Sequence, residues 1–260
     1  MPDTAENPSL WHVDDGLSLF AGPLGRNARH SHAVTVFLAG LYAPFALRID
    51  GGDWQECRTA VIPAGVSYEF DMQGAPLAVL YVEPGVARVQ HLARLVKGAH
   101  EERGALVGNG GEISLFREVF EDRESLSWVA AGLDSLMRFA EVKSVPVDPR
   151  VRRVLARLRE DYMDLGGVAA VAATTGLSPS RFQHVFSADV GVPFRRYRAW
   201  CRMRAAIGAA LGGCNLTTAA HTAGFADQAH FARDFRRIFG APANPSLAKV
   251  RLKPDISVPA

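Results

Sequence analysis

The chain has 260 residues, enough for one large or two ordinary domains with substantial hydrophobic cores. No apolar run approaches the ~20 residues of a membrane-spanning helix, and the polar, acidic N-terminus does not resemble a signal peptide. The three cysteines are odd in number and lack metal-type spacing, which argues against a disulfide framework. We therefore expect a cytoplasmic protein without membrane contact.

The overall charge of +2 hides a sharp division along the chain. Residues 1–149 carry 12 basic and 20 acidic side chains, a net charge of −8, and residues 150–253 carry 17 basic and 6 acidic ones, a net charge of +11. This pattern is expected when only one part of a protein meets phosphate. The helix-breaking stretch VPVDP at 145–149 coincides with the change, so we predict domains at 1–147 and 148–253.

Short β-type runs separated by glycine and proline turns fill the chain between residues 16 and 84. Such spacing is typical of an all-β sandwich or barrel. The predicted strands are 17–21, 34–38, 45–49, 59–62, 68–71 and 77–82.

His30 and His32 lie two residues apart, so on a strand both side chains point the same way. A metal site needs at least three protein ligands, and no acid follows His32 at a short interval. We therefore favour a metal-free pocket in which His30, His32 and Tyr68 hydrogen-bond a ligand or merely one another. No metal or other cofactor is expected.

Two helices follow, at 113–122 and 125–141, with Arg123 and Glu124 at a tight turn between them. Apolar residues recur along the second helix at helical spacing. This stripe is either plain core or a dimer seam, and the sequence leaves both open.

The last hundred residues contain two similar units, at 168–186 and 216–235. Each has a helix of small residues, a glycine, one large apolar residue, a cap signal and a helix with polar residues opposite an aromatic stripe. DNA-binding helix-turn-helix motifs have these parts in this order. Two copies in one chain predict a nucleic-acid reader.

The second helix of the first unit begins with Ser178 as N-cap and Pro179 as first helical residue. Arg181 is suited to pairing with guanine and Gln183 with adenine. The residues predicted to face DNA are Ser180, Arg181, Gln183, His184 and Ser187.

The second unit repeats this logic with more charge, and Asp227 is its predicted cap. Arg233, one turn into the helix, is the best base-contact candidate, and Arg236 and Arg237 are expected at phosphates. The full set predicted to face DNA is Gln228, His230, Arg233, Arg236 and Arg237.

A linker helix is predicted from Pro193 to about Leu211. Nineteen residues at ~1.5 Å each give roughly 28 Å, close to the ~34 Å between successive major grooves on one side of B-DNA. The linker can thus hold two recognition helices in adjacent grooves. We expect some of its arginines to reach the DNA backbone, Arg196 among them; the set is Arg195, Arg196, Arg198, Arg202 and Arg204.

The segments GLSPSRF, GVPFRRYRAW and AGFADQAHFARDFRRIFG, within about 148–239, resemble the AraC/XylS family of bacterial transcription regulators. The resemblance implies a bihelical DNA-binding domain and a dimer role for the helical hairpin. RHSHAVTVFLAG and VIPAGVSYEF resemble the cupin-type barrel that is the sensor half of many such regulators, with Tyr68 where the second cupin motif would offer histidine. Base reading is implied for Ser180, Gln183, His184, Gln228, His230 and Arg233.

Together these features predict an α+β two-domain protein. It has an N-terminal cupin-like β-barrel with a helical hairpin and a C-terminal all-α domain with two helix-turn-helix motifs joined by a linker helix. The leading hypothesis is a non-enzymatic, homodimeric transcription regulator of promoter or operator DNA. A small-molecule effector controls it, and RNA polymerase is a further candidate partner.

Three alternatives remain at this point. One is a metal-dependent cupin enzyme fused to a DNA-targeting domain. Another is a DNA alkyl-transfer protein with an activated cysteine. The third is a DNA-binding protein that responds to no ligand, because pocket residues and core residues look alike in sequence.

Overall fold

A computed structural model describes residues 8–87, 89–140, 146–163, 166–243, 247 and 250–251. The N-terminal domain is rich in β-strands, with helices on one side. Its elements are β1 Ser9–Val13, β2 Leu17–Pro23, β3 Arg26–His30, β4 Thr35–Gly40, β5 Phe45–Ile49, β6 Gln55–Cys57, β7 Thr59–Ile62, β8 Tyr68–Asp71, β9 Pro76–Val82, α1 Val89–Leu92, β10 Val96–Lys97, β11 His100–Glu102, β12 Ala105–Gly108, β13 Gly110–Gly111, α2 Ser114–Glu121 and α3 Val129–Phe139.

The described part of the C-terminal domain is helical except for one short strand. Its elements are α4 Pro149–Glu160, α5 Val168–Thr175, α6 Pro179–Val190, α7 Phe194–Leu211, α8 Leu216–Thr222, α9 Gln228–Phe239 and β14 Val250–Arg251. Strand β14 returns to the N-terminal domain and pairs parallel with β1. The expected all-α domain thus ends in a strand of the other domain's sheet. No helix in these described ranges has the length and apolar character needed to cross a membrane.

Within the described ranges, the main sheet has eight strands in the order β11-β12-β7-β4-β9-β2-β1-β14, and a second sheet has the order β3-β8-β5-β6. The two sheets enclose an aromatic core, as expected for a cupin-like barrel. Strand β4 explains why the sequences of the main-sheet strands are almost entirely apolar. Val36 and Leu38 face the second sheet while Phe37 and Ala39 face the helices, so both faces are buried.

The helical hairpin covers the outer face of the main sheet and forms a second core with it. Phe116 of α2 packs against Phe37, with ring centroids 5.6 Å apart. Leu133 and Leu136 of α3 are buried in the same cluster. The apolar stripe of this helix is therefore core, whereas Phe139 at its end is 62% exposed.

The predicted helix 125–141 differs from the observed one at its start. Ser125 donates its hydroxyl to the Val119 carbonyl oxygen, and the Trp128 indole N–H donates to Asp122. These bonds shape residues Ser125–Ser127 into a separate 3-10 turn, and α3 begins only at Val129.

The helix-turn-helix units have the predicted local chemistry. Ser178 and Asp227 accept hydrogen bonds from the backbone N–H groups of Arg181 and His230 at the starts of α6 and α9. The turns place Gly176 and Gly224 at φ +69° and +75°, left-handed values that favour glycine. Both predicted turns thus use glycine because their backbone takes a left-handed conformation there.

Candidate nucleic-acid interface and barrel pocket

Helix α6 presents a polar face to solvent. Phe182 and Phe186 are buried against α7, where both rings contact Phe194. The five predicted contact residues lie away from this stripe: four are exposed and one is half-buried, in the order Ser180, Arg181, Gln183, His184 and Ser187. This polar face of α6 is therefore accessible for contact with a DNA groove.

Helix α9 divides its predicted contacts between two adjacent faces. Arg233 and Arg236 project into solvent. His230 and Arg237 instead flank Asp234, at 3.8 Å and 3.1 Å, on the side that faces the N-terminal domain. Gln228 is exposed in the first turn, where its side-chain oxygen accepts from the Thr217 hydroxyl. Arg233 is therefore the α9 arginine best placed for a base edge.

Two linker arginines bind backbone carbonyl oxygens within the C-terminal domain. Arg198 donates to the carbonyl oxygens of Tyr162, Met163 and Gly166, which follow α4. Arg202 donates to the carbonyl oxygens of Ala223 and Gly224 and lies 4.5 Å from the Phe225 ring centroid. Both guanidinium groups thus bond carbonyl oxygens of loops between helices. Arg195, by contrast, is exposed.

Arg196, predicted at a phosphate, bonds the N-terminal domain in this structure. Its Nη2 donates to the carbonyl oxygen of Ser31 at 2.8 Å and to the same residue's hydroxyl. Burial, together with the charge of Arg237, lowers the pKa of this guanidinium. A phosphate contact therefore stays a prediction, and it would compete with the bond to Ser31.

Glu83, just after β9, binds three donors of the linker helix in the domain boundary. Its carboxylate accepts from the Tyr197 hydroxyl at 2.6 Å, the Trp200 indole N–H at 2.8 Å and the Arg204 guanidinium at 2.9 Å. The residue is only 1% exposed. The sequence reasoning missed this cluster, although the three donors recur at helical spacing on one face of the linker.

The predicted pocket residues do come together. The His30 ring lies 5.0 Å from that of His32 and 4.4 Å from that of Tyr68, and all three are buried. Strand β3 ends at His30, and His32 lies in the loop beyond it, so the two histidines do not share a strand. A shift in register between Asn27 and His30 interrupts the pairing of β3 with β8, which resumes with His30 opposite Tyr68.

Burial keeps both imidazoles neutral. It lowers the pKa of His30 to about 4, against a hydrogen bond from its Nδ1 to the Ala28 carbonyl oxygen. Burial, with the electrostatic effect of the neighbouring His30 and Arg196, lowers the pKa of His32 well below its usual range. The His32 Nδ1 atom has no hydrogen-bond partner among the described residues.

The mouth of the barrel is closed by the end of α9. The Phe239 ring contacts Trp11, His32 and Tyr81 at centroid distances of 5.5–5.9 Å. The Asn27 side chain donates to the Phe239 carbonyl oxygen. A cavity of about 20 Å³ remains among these rings, which is room for one water molecule. No feature of the sequence pointed to this closure.

A wide basic cleft of about 1180 Å³ lies beside the closed barrel, along the seam between the domains. His30 lines both spaces. Asp234 also lines the cleft, against six arginines: Arg29, Arg195, Arg196, Arg198, Arg202 and Arg237. The seam therefore combines an apolar aromatic site with a strongly cationic one.

The alternative enzymes would need a set of metal ligands or an activated cysteine thiol. Among the residues described, no three His, Cys, Asp or Glu side chains lie close enough together to share a metal ion. Cys57 and Cys201 are buried, and burial raises both pKa values, that of Cys201 to about 12. Cys214 is exposed.

Comparisons with known proteins agree with this architecture. Residues 171–245 match a family model described as a helix-turn-helix domain, while no curated protein gives a significant match. The fold is similar to that of ToxT from Vibrio cholerae. An apo variant superposes with a TM-score of 0.59 at 11% identity, covering 92% of this chain and 99% of that one.

Two ligand-bound structures of ToxT from Vibrio cholerae are similar as well. Wild-type ToxT bound to an unsaturated fatty acid gives a TM-score of 0.58 at 11% identity, covering 92% of this chain and 97% of ToxT. ToxT bound to (E)-4-(8-methylnaphthalen-1-yl)but-3-enoic acid gives 0.56 at 12%, covering 90% and 99%. Residues 171–245 thus form a helix-turn-helix domain with two exposed polar helix faces, and the chain as a whole has a two-domain fold similar to that of ToxT.

Proposed function

We propose that the protein regulates transcription by placing α6 and α9 in adjacent major grooves of promoter DNA and that a small organic acid controls this binding. The observation that carries the proposal is the pair of exposed polar faces, on α6 and α9, in one basic domain. The C-terminal end of α9 also packs against the barrel. Arg181, Gln183 and Arg233 read bases, and Arg236 contacts phosphate. The remaining predicted contacts are Ser180, His184, Ser187, Arg196, Gln228, His230 and Arg237.

The proposed effector has an apolar body and a carboxylate. The aromatic site at the barrel mouth suits the body, and the arginines of the seam cleft suit the anionic group. Both ligands named for the ToxT structures are carboxylic acids, which supports the same class here. Because the cleft is lined by both domains, an acid bound there would lose contacts if the domains separated. Such a difference in binding between two arrangements is what control of DNA binding requires.

We further propose that the regulator acts in the cytoplasm as a homodimer. A dimer would match two half-sites on DNA, and an activator would also contact RNA polymerase. Analytical ultracentrifugation with and without operator DNA tests the dimer. A monomer in both samples would overturn that part alone.

Fluorescence anisotropy on the protein's own upstream DNA and on scrambled DNA, across a salt series, tests the DNA function. We expect selective binding that weakens steeply with salt. Equal binding to both DNAs would contradict sequence reading on this fragment.

A second titration tests the effector class with 1-naphthylacetate against its uncharged analogue 1-naphthaleneethanol. We expect the acid to change DNA affinity at concentrations where the alcohol does not. Equal effects of the two would remove the carboxylate from the proposal and leave DNA binding intact.

A further inference from the structure

The side chain at the end of the second recognition helix occupies the place where a barrel ligand would lie. Phe239 is buried, and its ring contacts Trp11 and Tyr81 of the main sheet and His32 of the loop after β3. Tyr81 and Trp11 stack nearly parallel, 5.8 Å apart, behind it. An aromatic ring of the DNA-binding domain is thus held in an aromatic cage of the sensor domain.

The remaining space does not admit a metabolite while Phe239 is in place. The cavity of about 20 Å³ holds one water molecule. By comparison, an apolar cavity on the order of 150 Å³ binds benzene. A ligand of that size enters only if the Phe239 ring leaves.

The cage contains a hydrogen-bonding atom that Phe239 cannot satisfy. His32 is fully enclosed, and its Nδ1 lacks a partner among the residues described. Its ring is 5.5 Å from that of Phe239, which offers neither a donor nor an acceptor. Buried polar atoms are normally paired, so this atom marks an unfilled interaction beside the phenyl ring.

The Phe239 ring cannot leave without disturbing the end of α9. The Asn27 side chain holds the Phe239 carbonyl oxygen at 2.6 Å, and the Ala28 N–H holds that of Gly240 at 2.9 Å. Gly240 has φ +69°, and a Cβ there would lie 2.3 Å from the Ala28 carbonyl oxygen. Removing the Phe239 ring from the cage would therefore disturb the closely packed C-terminal end of α9.

We infer that Phe239 is an internal stand-in for the apolar body of the effector: a planar aromatic body with one hydrogen-bonding group displaces the Phe239 ring, bonds His32 and releases the C-terminal end of α9, while a carboxylate held by the arginines of the seam cleft adds affinity. This inference rests on the proposed function and specifies how the effector site is regulated. It differs from an open sensor pocket, because the ligand and the DNA-binding domain compete for one cage.

Calorimetric titration with indole tests the displacement, since indole is planar and carries a single N–H donor. Wild type is compared with Phe239→Ala and with Phe231→Ala. The latter is the same change on the same helix, at a buried phenylalanine that does not line the cage. We expect indole to bind Phe239→Ala at least tenfold more tightly than wild type or the control, because no side chain has to leave.

Hydrogen exchange of α9 tests the release. Indole should speed amide exchange at the C-terminal end of α9 in wild type, whereas Phe239→Ala should exchange rapidly with or without indole. Circular dichroism establishes that the variants are folded. If Phe239→Ala does not fold, Phe239→Leu takes its place and should show an intermediate gain in affinity.

Two results would overturn the inference. One is a folded Phe239 variant that binds indole no more tightly than wild type. The other is α9 exchange in wild type that saturating indole leaves unchanged. Neither result touches the DNA function, because selective binding of wild type to its promoter is measured without indole.

Discussion

The carboxylate of Glu83 and the guanidinium of Arg204 lie 2.9 Å apart across the boundary between the two domains, with the residues only 1% and 8% exposed. The pair joins the end of β9 to the middle of the linker helix. A buried charge is tolerated when it is paired and hydrogen-bonded, and Glu83 has Tyr197 and Trp200 as further donors. This contact is therefore one of those that hold the N-terminal domain against the helical domain.

Arg204→Met should destabilise the protein by about 3–5 kcal/mol, because it leaves a buried carboxylate without its cation. Urea denaturation followed by circular dichroism measures the loss. Glu83→Gln combined with Arg204→Met should cost less than the sum of the two single changes, since the residues interact directly. Arg153→Met, at an exposed arginine of α4, is the control and should change stability by less than about 0.5 kcal/mol. Additive losses would mean that the pair is not coupled.

Arg233→Ala should cost about 1–3 kcal/mol of binding to the cognate site and leave binding to random DNA nearly unchanged. The reason is its exposed position one turn into α9, where a side chain reaches base edges. Anisotropy on both DNAs measures the difference. Arg123→Ala, an exposed change in the N-terminal domain, is the matched control. An equal loss on both DNAs would reassign Arg233 to phosphate.

Arg236→Ala should weaken binding to all DNA sequences alike and lower the salt slope by about one, as expected for a lost phosphate contact. The same salt series applied to Arg196→Ala tests the linker prediction. A lower slope there would show that Arg196 leaves Ser31 when DNA binds. An unchanged slope for either variant would remove that residue from the phosphate contacts.

Stability should fall as the pH drops from 6.5 towards 4. Burial lowers the pKa of His30 to about 4 in the folded protein, so over this interval the unfolded chain binds a proton that the folded one does not. Each such histidine contributes a slope of about 1.4 kcal/mol per pH unit, with stability rising as pH rises. Thermal melts across this range measure it.

The matched variants for this pH dependence are His32→Phe and His221→Asn. His32→Phe should flatten the dependence, because it removes a buried imidazole whose pKa burial also lowers. His221 is exposed and should have no such effect when replaced. A variant slope identical to that of wild type would show that His32 is not part of the acid sensitivity.

Iodoacetamide at neutral pH should modify Cys214 and spare Cys57 and Cys201. Burial shields the latter two thiols and raises their pKa values, which disfavours the reactive thiolate. Peptide mass spectrometry measures the labelling. Rapid labelling of Cys201 in the folded protein would revive the alkyl-transfer alternative.

The sequence predicted local elements well where one signal dominated. Strands 45–49, 59–62 and 68–71 match the structure to the residue, because turn residues bound short β-branched or aromatic runs. The linker helix was predicted one residue early, at Pro193, whose fixed φ precedes the helix. Short strands such as Gln55–Cys57 were missed, since three residues carry no periodicity.

Contacts between the domains could not be predicted in this way. Glu83 follows a strand and reads as an ordinary surface acid, yet its partners lie more than a hundred residues further along the chain. Arg198 and Arg202 looked like DNA contacts because of their charge, but the carbonyl oxygens they bind are brought near only by folding. Periodicity identifies the buried face of a helix, not its partner.

Strand β14 adds a topological consequence to the pairing of the two domains. The edge of the main sheet at β1 is completed by Val250 and Arg251, which are synthesised after both helix-turn-helix units. During translation, β1 therefore stays an open edge until Val250 and Arg251 have been synthesised, and open edges invite pairing with other chains. In sequence, the helical domain lies between two strands that pair in the sheet of the N-terminal domain, so that sheet gains its β14 edge only after the helical domain has been synthesised.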